Sequence, residues 1–142
     1  MGFDPYKMDQ KFRVSVPPEW RPAYGAPMIL LFSKKYDLPV VKCISQEIYE
    51  EKMTRVKESE KTPKEKDKLL ERLAMLSRRS SLNDQGKVLV AKDLAEQVGI
   101  EADGDVVLAG RNRYFEIWAK HHFDAMLKIE SGEDFDDDLG IF

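Results

Sequence analysis

The chain carries one pattern of residues twice, 74 positions apart. In "MDQKFRVSVPPEW", residues 8–20, Val14 and Val16 stand where "LNDQGKVLVAKDL", residues 82–94, has Val88 and Val90. At the same offset Asp9 meets Asn83, Arg13 meets Lys87 and Gly25 meets Gly99. The apolar runs "PMILLF" and "DVVLAG" then correspond at an offset of about 78. Beyond them the offset returns to 74, laying Val41 on Phe115, Cys43 on Ile117 and Tyr49 on Phe123. Hairpin loops tolerate insertions. A spacing shared on both sides of one altered hairpin therefore marks a unit written twice. Each copy reads as strand, short helix, strand, turn, strand, helix. A chain of 142 residues then suggests one compact domain, or two small halves sharing a core.

Local signals fill in that outline. In "KFRVSVP" Phe12, Val14 and Val16 point one way, while Lys11, Arg13 and Ser15 point the other. Pro17 and Pro18 end that strand. "KDLAEQV", residues 92–98, makes a short helix with Gly99 at its C-terminal cap. "DGD" at 103–105 is a turn, and "GRNR" at 110–113 is a hairpin turn whose Gly and Asn supply positive φ. "YFEIWA" follows as an aromatic-rich strand. Between the copies, Ser45 or Gln46 opens a helix of three or more turns, with a sparse apolar side of Ile48, Met53 and Val56. Thr62, Pro63 and Glu65 read as N-cap, N1 and N3 of a second helix, which carries a stripe of Leu69, Leu70, Leu73, Met75 and Leu76. Arg78 and Arg79 fall at the end of that helix, placed to meet its macrodipole, a phosphate, or both.

Composition narrows the function classes. Apolar residues make up 42% of the chain, enough for a core, and charged residues 35%, which points to exposed helices or tails. The lone cysteine, Cys43, excludes an internal disulfide, suits a reducing cytoplasm and reads as a buried core thiol. No apolar run approaches the roughly 18 residues of a membrane span, and "MGFDPYKM" lacks a signal-peptide stretch. The formal net charge of −3 hides an asymmetry. The tail "ESGEDFDDDLGIF" holds six carboxylates and no cation, which leaves 23 basic against 20 acidic side chains elsewhere. That tail is either a solubilising appendix or a polyanion that competes with nucleic acid for the body.

Catalytic patterns are missing. His121 and His122 are neighbours and diverge by about 100° on a helix, so they do not readily share a metal, and there is no HExxH spacing, GxGxxG or P-loop. A non-enzyme without cofactor or metal is the expectation. Cations at strand entries and hairpins give a different signal: Lys11 and Arg13, Lys87, Lys34 with Lys35, and Arg111 with Arg113. Positive edges attract a phosphate backbone, and an arginine adds a bidentate fork for a guanine edge.

The two motifs "DQKFR" followed by "VSVP", and "NDQGK" followed by "VLVA", together with "VLAGRNRYFEIWAKHHFD", resemble the MraZ family of bacterial transcriptional regulators. That family carries two tandem SpoVT-AbrB domains, each with a DxxxR motif, and the resemblance covers about residues 3–128. It implies an α+β fold: a swapped-hairpin AbrB-like β-barrel in which two tandem pseudo-twofold repeats interlock. The implied organisation is repeat 1 at 3–50, a helical linker at 51–77, repeat 2 at 78–124 and the acidic tail at 129–142. It further implies a ring-shaped homo-oligomer in the cytoplasm and nucleoid, with no membrane association. Such a ring binds direct repeats in double-stranded DNA and represses its own division and cell-wall operon. By position, the DNA-facing residues would be Lys11, Arg13 and Lys87, with Asp9 and Asn83 beside them. Phe12 departs from the family's usual glycine, whereas Gly86 keeps it, and Asn83 and Lys87 depart from the Asp and Arg of the motif. An antitoxin-like or DNA-silent interaction module of the same fold is the alternative.

Overall fold

A computed structural model describes residues 2–23, 26–132 and 137–142. It is mixed α+β, with four α-helices and a mostly antiparallel sheet. The strands are β1 (Phe3–Lys7), β2 (Arg13–Ser15), β3 (Met28–Lys35), β4 (Leu38–Ser45), β5 (Ser77–Ser80), β6 (Lys87–Leu89), β7 (Asp105–Gly110) and β8 (Phe115–Ala119). The helices are α1 (Gln46–Lys57), α2 (Pro63–Met75), α3 (Lys92–Gln97) and α4 (Lys120–Glu130). Six strands form one sheet in the order β1-β7-β8-β4-β3-β5, and β2 with β6 forms a separate two-stranded ladder. Among the described residues the strands do not close into a hydrogen-bonded barrel. β2 and β6 are only three residues long, and their ladder meets the large sheet through side chains.

Strand register relates the two halves. In the small ladder Val14 lies opposite Val88, and in the large sheet Lys42 lies opposite Glu116. Both pairs join positions 74 apart, so each is the centre of a symmetric pairing. The outer strands cross over. β1 pairs with β7, placing Tyr6 against Val106, and β5 pairs with β3, placing Ser80 against Met28.

The core has two sides because the sheet is covered on both faces. Met28, Leu30, Val41, Cys43, Val106, Leu108, Phe115 and Ile117 face inward against Val14, Val16, Val88 and Val90 of the small ladder and Leu94 and Ala95 of α3. The alternate residues face outward. Val40, Val107, Ala109 and Trp118 pack under Phe123 and Met126 of α4, while Ile29, Leu31 and Ile44 pack near Ile48 of α1 and Leu73 of α2. Two covered faces explain why β3 and β7 read as continuous apolar runs rather than alternating ones. Each such fully buried aliphatic side chain stabilises the fold by about 1.5–3 kcal/mol.

Local chemistry sets the helix ends. Ser45 caps α1 by accepting from the Ile48 N–H, and Thr62 with Glu65 forms a complete capping box on α2. Cys43 is buried, and burial pushes its thiol well above the ordinary value.

Several sequence expectations need correction. β1 carries no alternating apolar signal, and its Pro5 is tolerated because β1 is an edge strand. Arg78 and Arg79 do not end α2; they lie in β5, because the open edge of β3 captures the chain after Leu76. In the first half the short helix shrinks to a 3-10 turn, Pro18–Trp20. Phe12 is not part of β2: its φ is 59°, and the strand begins at Arg13. At the hairpin 110–113 only Asn112 has positive φ. The readings placed on Gly25 and on tail residues 133–136 lie outside the described residues.

Candidate nucleic-acid interface

Asp9 is a short acceptor at the start of a turn. Its Oδ1 accepts from the backbone N–H of Lys11 and of Arg13, both at 2.8 Å. The backbone closes the same turn: Asp9 N–H donates to the Arg13 carbonyl and Phe12 N–H to the Asp9 carbonyl. This arrangement forces Phe12 into left-handed backbone and brings the side chain of Arg13 back over Asp9, with Nε 3.4 Å from Oδ2. A fully extended segment would hold these two groups roughly 13 Å apart.

Asn83 builds the same turn. Its Oδ1 accepts from the N–H of Gln85 and of Lys87, both at 2.9 Å, and Asn83 N–H donates to the Lys87 carbonyl. Gly86 takes the left-handed step, at φ 73°. The backbone therefore treats Asp9 and Asn83 alike. The difference lies in the second oxygen. Oδ2 of Asp9 faces Arg13 and also lies 3.9 Å from the Lys87 ammonium of the other half. Partial burial opposes ionisation of Asp9, but the N–H groups of Arg13 and Lys11 and the charges of Arg13 and Lys87 outweigh it. The carboxyl is held below its ordinary value.

The two loops are tied to each other. Val90 N–H donates to the Phe12 carbonyl and Val16 N–H to the Gly86 carbonyl, at 2.8 and 3.0 Å. Arg13 and Lys87 thus share one face of the β2–β6 ladder, and Lys11 lies in the turn that leads into it. Lys11 is exposed, and Arg13 and Lys87 are about one-third exposed.

Arg21 also reaches this region. Its Nε donates to the Val16 carbonyl at 2.8 Å, and its guanidinium lies directly over Gly86. A Cβ at Gly86 would stand 2.4 Å from the Arg21 Cζ. Sequence reasoning gives no cue to this neighbour, since Arg21 corresponds by offset to the buried Ala95.

Other cations are engaged elsewhere. Arg111 donates to Glu116 at 2.7 Å and to Glu130 at 2.9 Å, and Lys35 lies 3.0 Å from the second Glu116 oxygen. Arg113 binds Glu51, and Arg78 binds Asp93 in the first turn of α3. These residues therefore contribute less free positive edge than their sequence positions suggest. Lys34 is exposed and forms no ion pair among the described residues. The rings of His121 and His122 lie 4.0 Å apart, tilted by 43°, beside Gly99, and the described residues contain no cluster of three or more metal-ligating side chains.

No family model matches the chain. Over 91 residues, 63% of its length, the chain is 36% identical to a protein named transcriptional regulator MraZ from Maridesulfovibrio salexigens. The matched stretch is 54% of the relative, so the chain spans about half the length of the MraZ protein it matches. No helix among the described residues is long and apolar enough to cross a membrane.

Proposed function

We propose that this chain is a sequence-specific DNA-binding transcriptional regulator of MraZ type and not an enzyme. The observation that carries this reading is the pair of matching loops, 9–13 and 83–87, joined across the β2–β6 ladder with Arg13 and Lys87 on one face and Lys11 exposed in the adjoining turn. Double-stranded DNA presents regularly spaced phosphates and base edges, and paired cationic loops on a rigid ladder suit both. The name of the Maridesulfovibrio salexigens relative agrees with that role. Arg13 serves as the base or phosphate contact, Lys11 and Lys87 as phosphate contacts. Asp9 and Asn83 hold the loops.

The finer reading follows the resemblance. The chain is two SpoVT-AbrB-like repeats, at 3–50 and 78–124, interlocked as a swapped-hairpin barrel with a helical linker at 51–77. The exchange of β1 onto β7 and β5 onto β3 favours it. The protein assembles as a ring in the cytoplasm at the nucleoid. There it binds direct repeats upstream of its own division and cell-wall operon and represses it. A ring with several weak sites gains affinity on tandem repeats through effective concentration.

The test is a gel-shift series on a duplex from upstream of its own gene, at fixed salt. Arg13→Ala should weaken binding by about tenfold or more, the scale of one lost bidentate contact, and Lys87→Ala by clearly less. Equal losses would refute the asymmetry. No binding by the wild type at low salt would favour an oligomeric interaction module of the same fold.

A further inference from the structure

The second loop differs from the first in a way that side chains from elsewhere in the chain repair. Lys87 stands where the first loop has Arg13, so the second loop has a point charge and no planar fork. Arg21 brings a guanidinium to that loop from the other half of the chain. Its Nε is anchored on the Val16 carbonyl, which fixes the plane of the group. Its terminal amino groups form no hydrogen bond or ion pair among the described residues, and Arg21 is exposed. Gly86 makes this position possible. Any Cβ there would overlap the guanidinium, and in the first loop the same step is filled by Phe12. At the first loop the counterpart of Arg21 by offset is the buried, uncharged Ala95. Each loop therefore has one guanidinium beside it: Arg13 at the first, Arg21 at the second.

We infer that Arg21 is a DNA-contacting residue that completes the second loop, making the 83–87 loop a composite site drawn from both halves of the chain. This rests on the DNA-binding reading above. Arg21, Asn83 and Gly86 line an open cleft of about 290 Å³, enough for a phosphate group to enter. Two parallel N–H donors on one rigid group hold a phosphate or a guanine edge better than an ammonium does. Asp84 lines the same cleft, and its carboxylate would repel a phosphate there, a repulsion that the Arg21 guanidinium offsets.

The experiment compares wild type, Arg21→Ala, Arg21→Lys and Arg13→Ala. Each binds a duplex from upstream of the protein's own gene and a duplex of unrelated sequence, across a salt series. Arg21→Ala should weaken binding by about tenfold and lower the slope of log K against log salt by about 0.9, the value for one phosphate contact. Arg21→Lys should restore the slope without restoring full affinity, because the charge returns and the fork does not. Wild-type affinity and slope in Arg21→Ala, with a loss in Arg13→Ala, overturn the role of Arg21 and leave the DNA reading standing. Wild-type protein that binds neither duplex overturns both. Should Arg21→Ala fail to fold, Arg21→Lys decides alone: affinity equal to wild type overturns the inference.

Discussion

Phe12 and Gly86 hold the same step of two matching loops, both in left-handed backbone, at φ 59° and 73°. Glycine accepts that conformation freely, whereas a residue with a Cβ is disfavoured there by roughly 1–2 kcal/mol. Phe12 offsets the strain by packing its ring against the inner core. Gly86→Ala should therefore destabilise the protein by about 1–2 kcal/mol, through strain and through displacement of the Arg21 guanidinium. Urea unfolding reads this directly, and a midpoint unchanged from wild type would show that the strained step costs nothing.

Asp9 has two separable duties, and two substitutions divide them. Asp9→Asn keeps the acceptor for both backbone N–H groups, as Asn83 does in the other loop. Asp9→Ala removes it and leaves the part-buried Arg13 N–H and the exposed Lys11 N–H without that acceptor. The alanine variant should lose about 1–3 kcal/mol, the amide variant less than about 1 kcal/mol. The pH dependence has a definite sign. The folded carboxyl titrates below its ordinary value, so its charge contributes stability above the unfolded value of about 3.9. That contribution is lost as pH falls through the folded value. The stability gap between wild type and Asp9→Asn should thus be constant near neutrality and close under strong acid. A gap that widens on acidification contradicts the assignment.

Glu116 is fully buried, and three groups converge on it. Arg111 and the Trp118 indole N–H reach one oxygen, at 2.7 and 3.0 Å. The Lys35 ammonium lies 3.0 Å from the other, close enough to neutralise it though not aligned as a hydrogen bond. Removing one member of a buried ion pair leaves the other uncompensated and typically costs about 3–5 kcal/mol. Glu116→Ala should fall in that range by chemical denaturation. Arg113→Ala, which frees only an exposed pair with Glu51, should leave stability close to that of the wild type. Similar losses in the two variants would contradict the burial argument.

His122 should make the α4 end of the molecule sensitive to mild acid. Burial, and then the charge of His121, keep its imidazole below the ordinary value. Gly99 of the turn after α3 lies against both rings, and Glu101, Asp105, Lys120 and Asp124 line a hollow with the neighbouring His121. A lowered value means that the folded state favours the neutral ring. Stability should fall as pH drops from about 6.5 through the folded value, by less than about 1 kcal/mol because the group is only partly buried. Comparing urea midpoints at pH 7.5 and 5.5 isolates the effect, since His122→Gln should flatten the difference. An equal drop in the variant would assign the acid sensitivity elsewhere.

How much of this was legible in the sequence depended on distance along the chain. The Ser45 cap, the Thr62–Glu65 capping box and the alternation at Val14 and Val16 are local, and local chemistry fixes them. The matched loops were visible as a repeat offset, but the bend that folds Arg13 onto Asp9 was not, because "DQKFR" reads equally well as extended chain. Phe12 was misread for the same reason: its apolar side chain fits the strand pattern while its backbone follows the turn. Arg111 and Arg113 looked like free cations because Glu130 and Glu51 lie 19 and 62 positions from them. β1 and β5 were hidden because their pairing depends on open edges of strands far away in the chain. Arg21 combines both difficulties, since its neighbour at Gly86 belongs to the other half and has no counterpart by offset.

The crossed strands also set a schedule for synthesis. Phe3 pairs with Ala109, which leaves the ribosome 106 residues later. At 5–20 residues per second that is a wait of roughly 5–20 s. During it the β3–β4 hairpin can close, but the edge of β4 that will receive β8 stays open and apolar. Nascent chains on one messenger carry that same open edge side by side, so pairing with a neighbour competes with waiting for the proper partner. Lys42, at the centre of the waiting edge, weakens that competition: two nascent copies would bring lysine against lysine, whereas the finished chain brings Lys42 against Glu116.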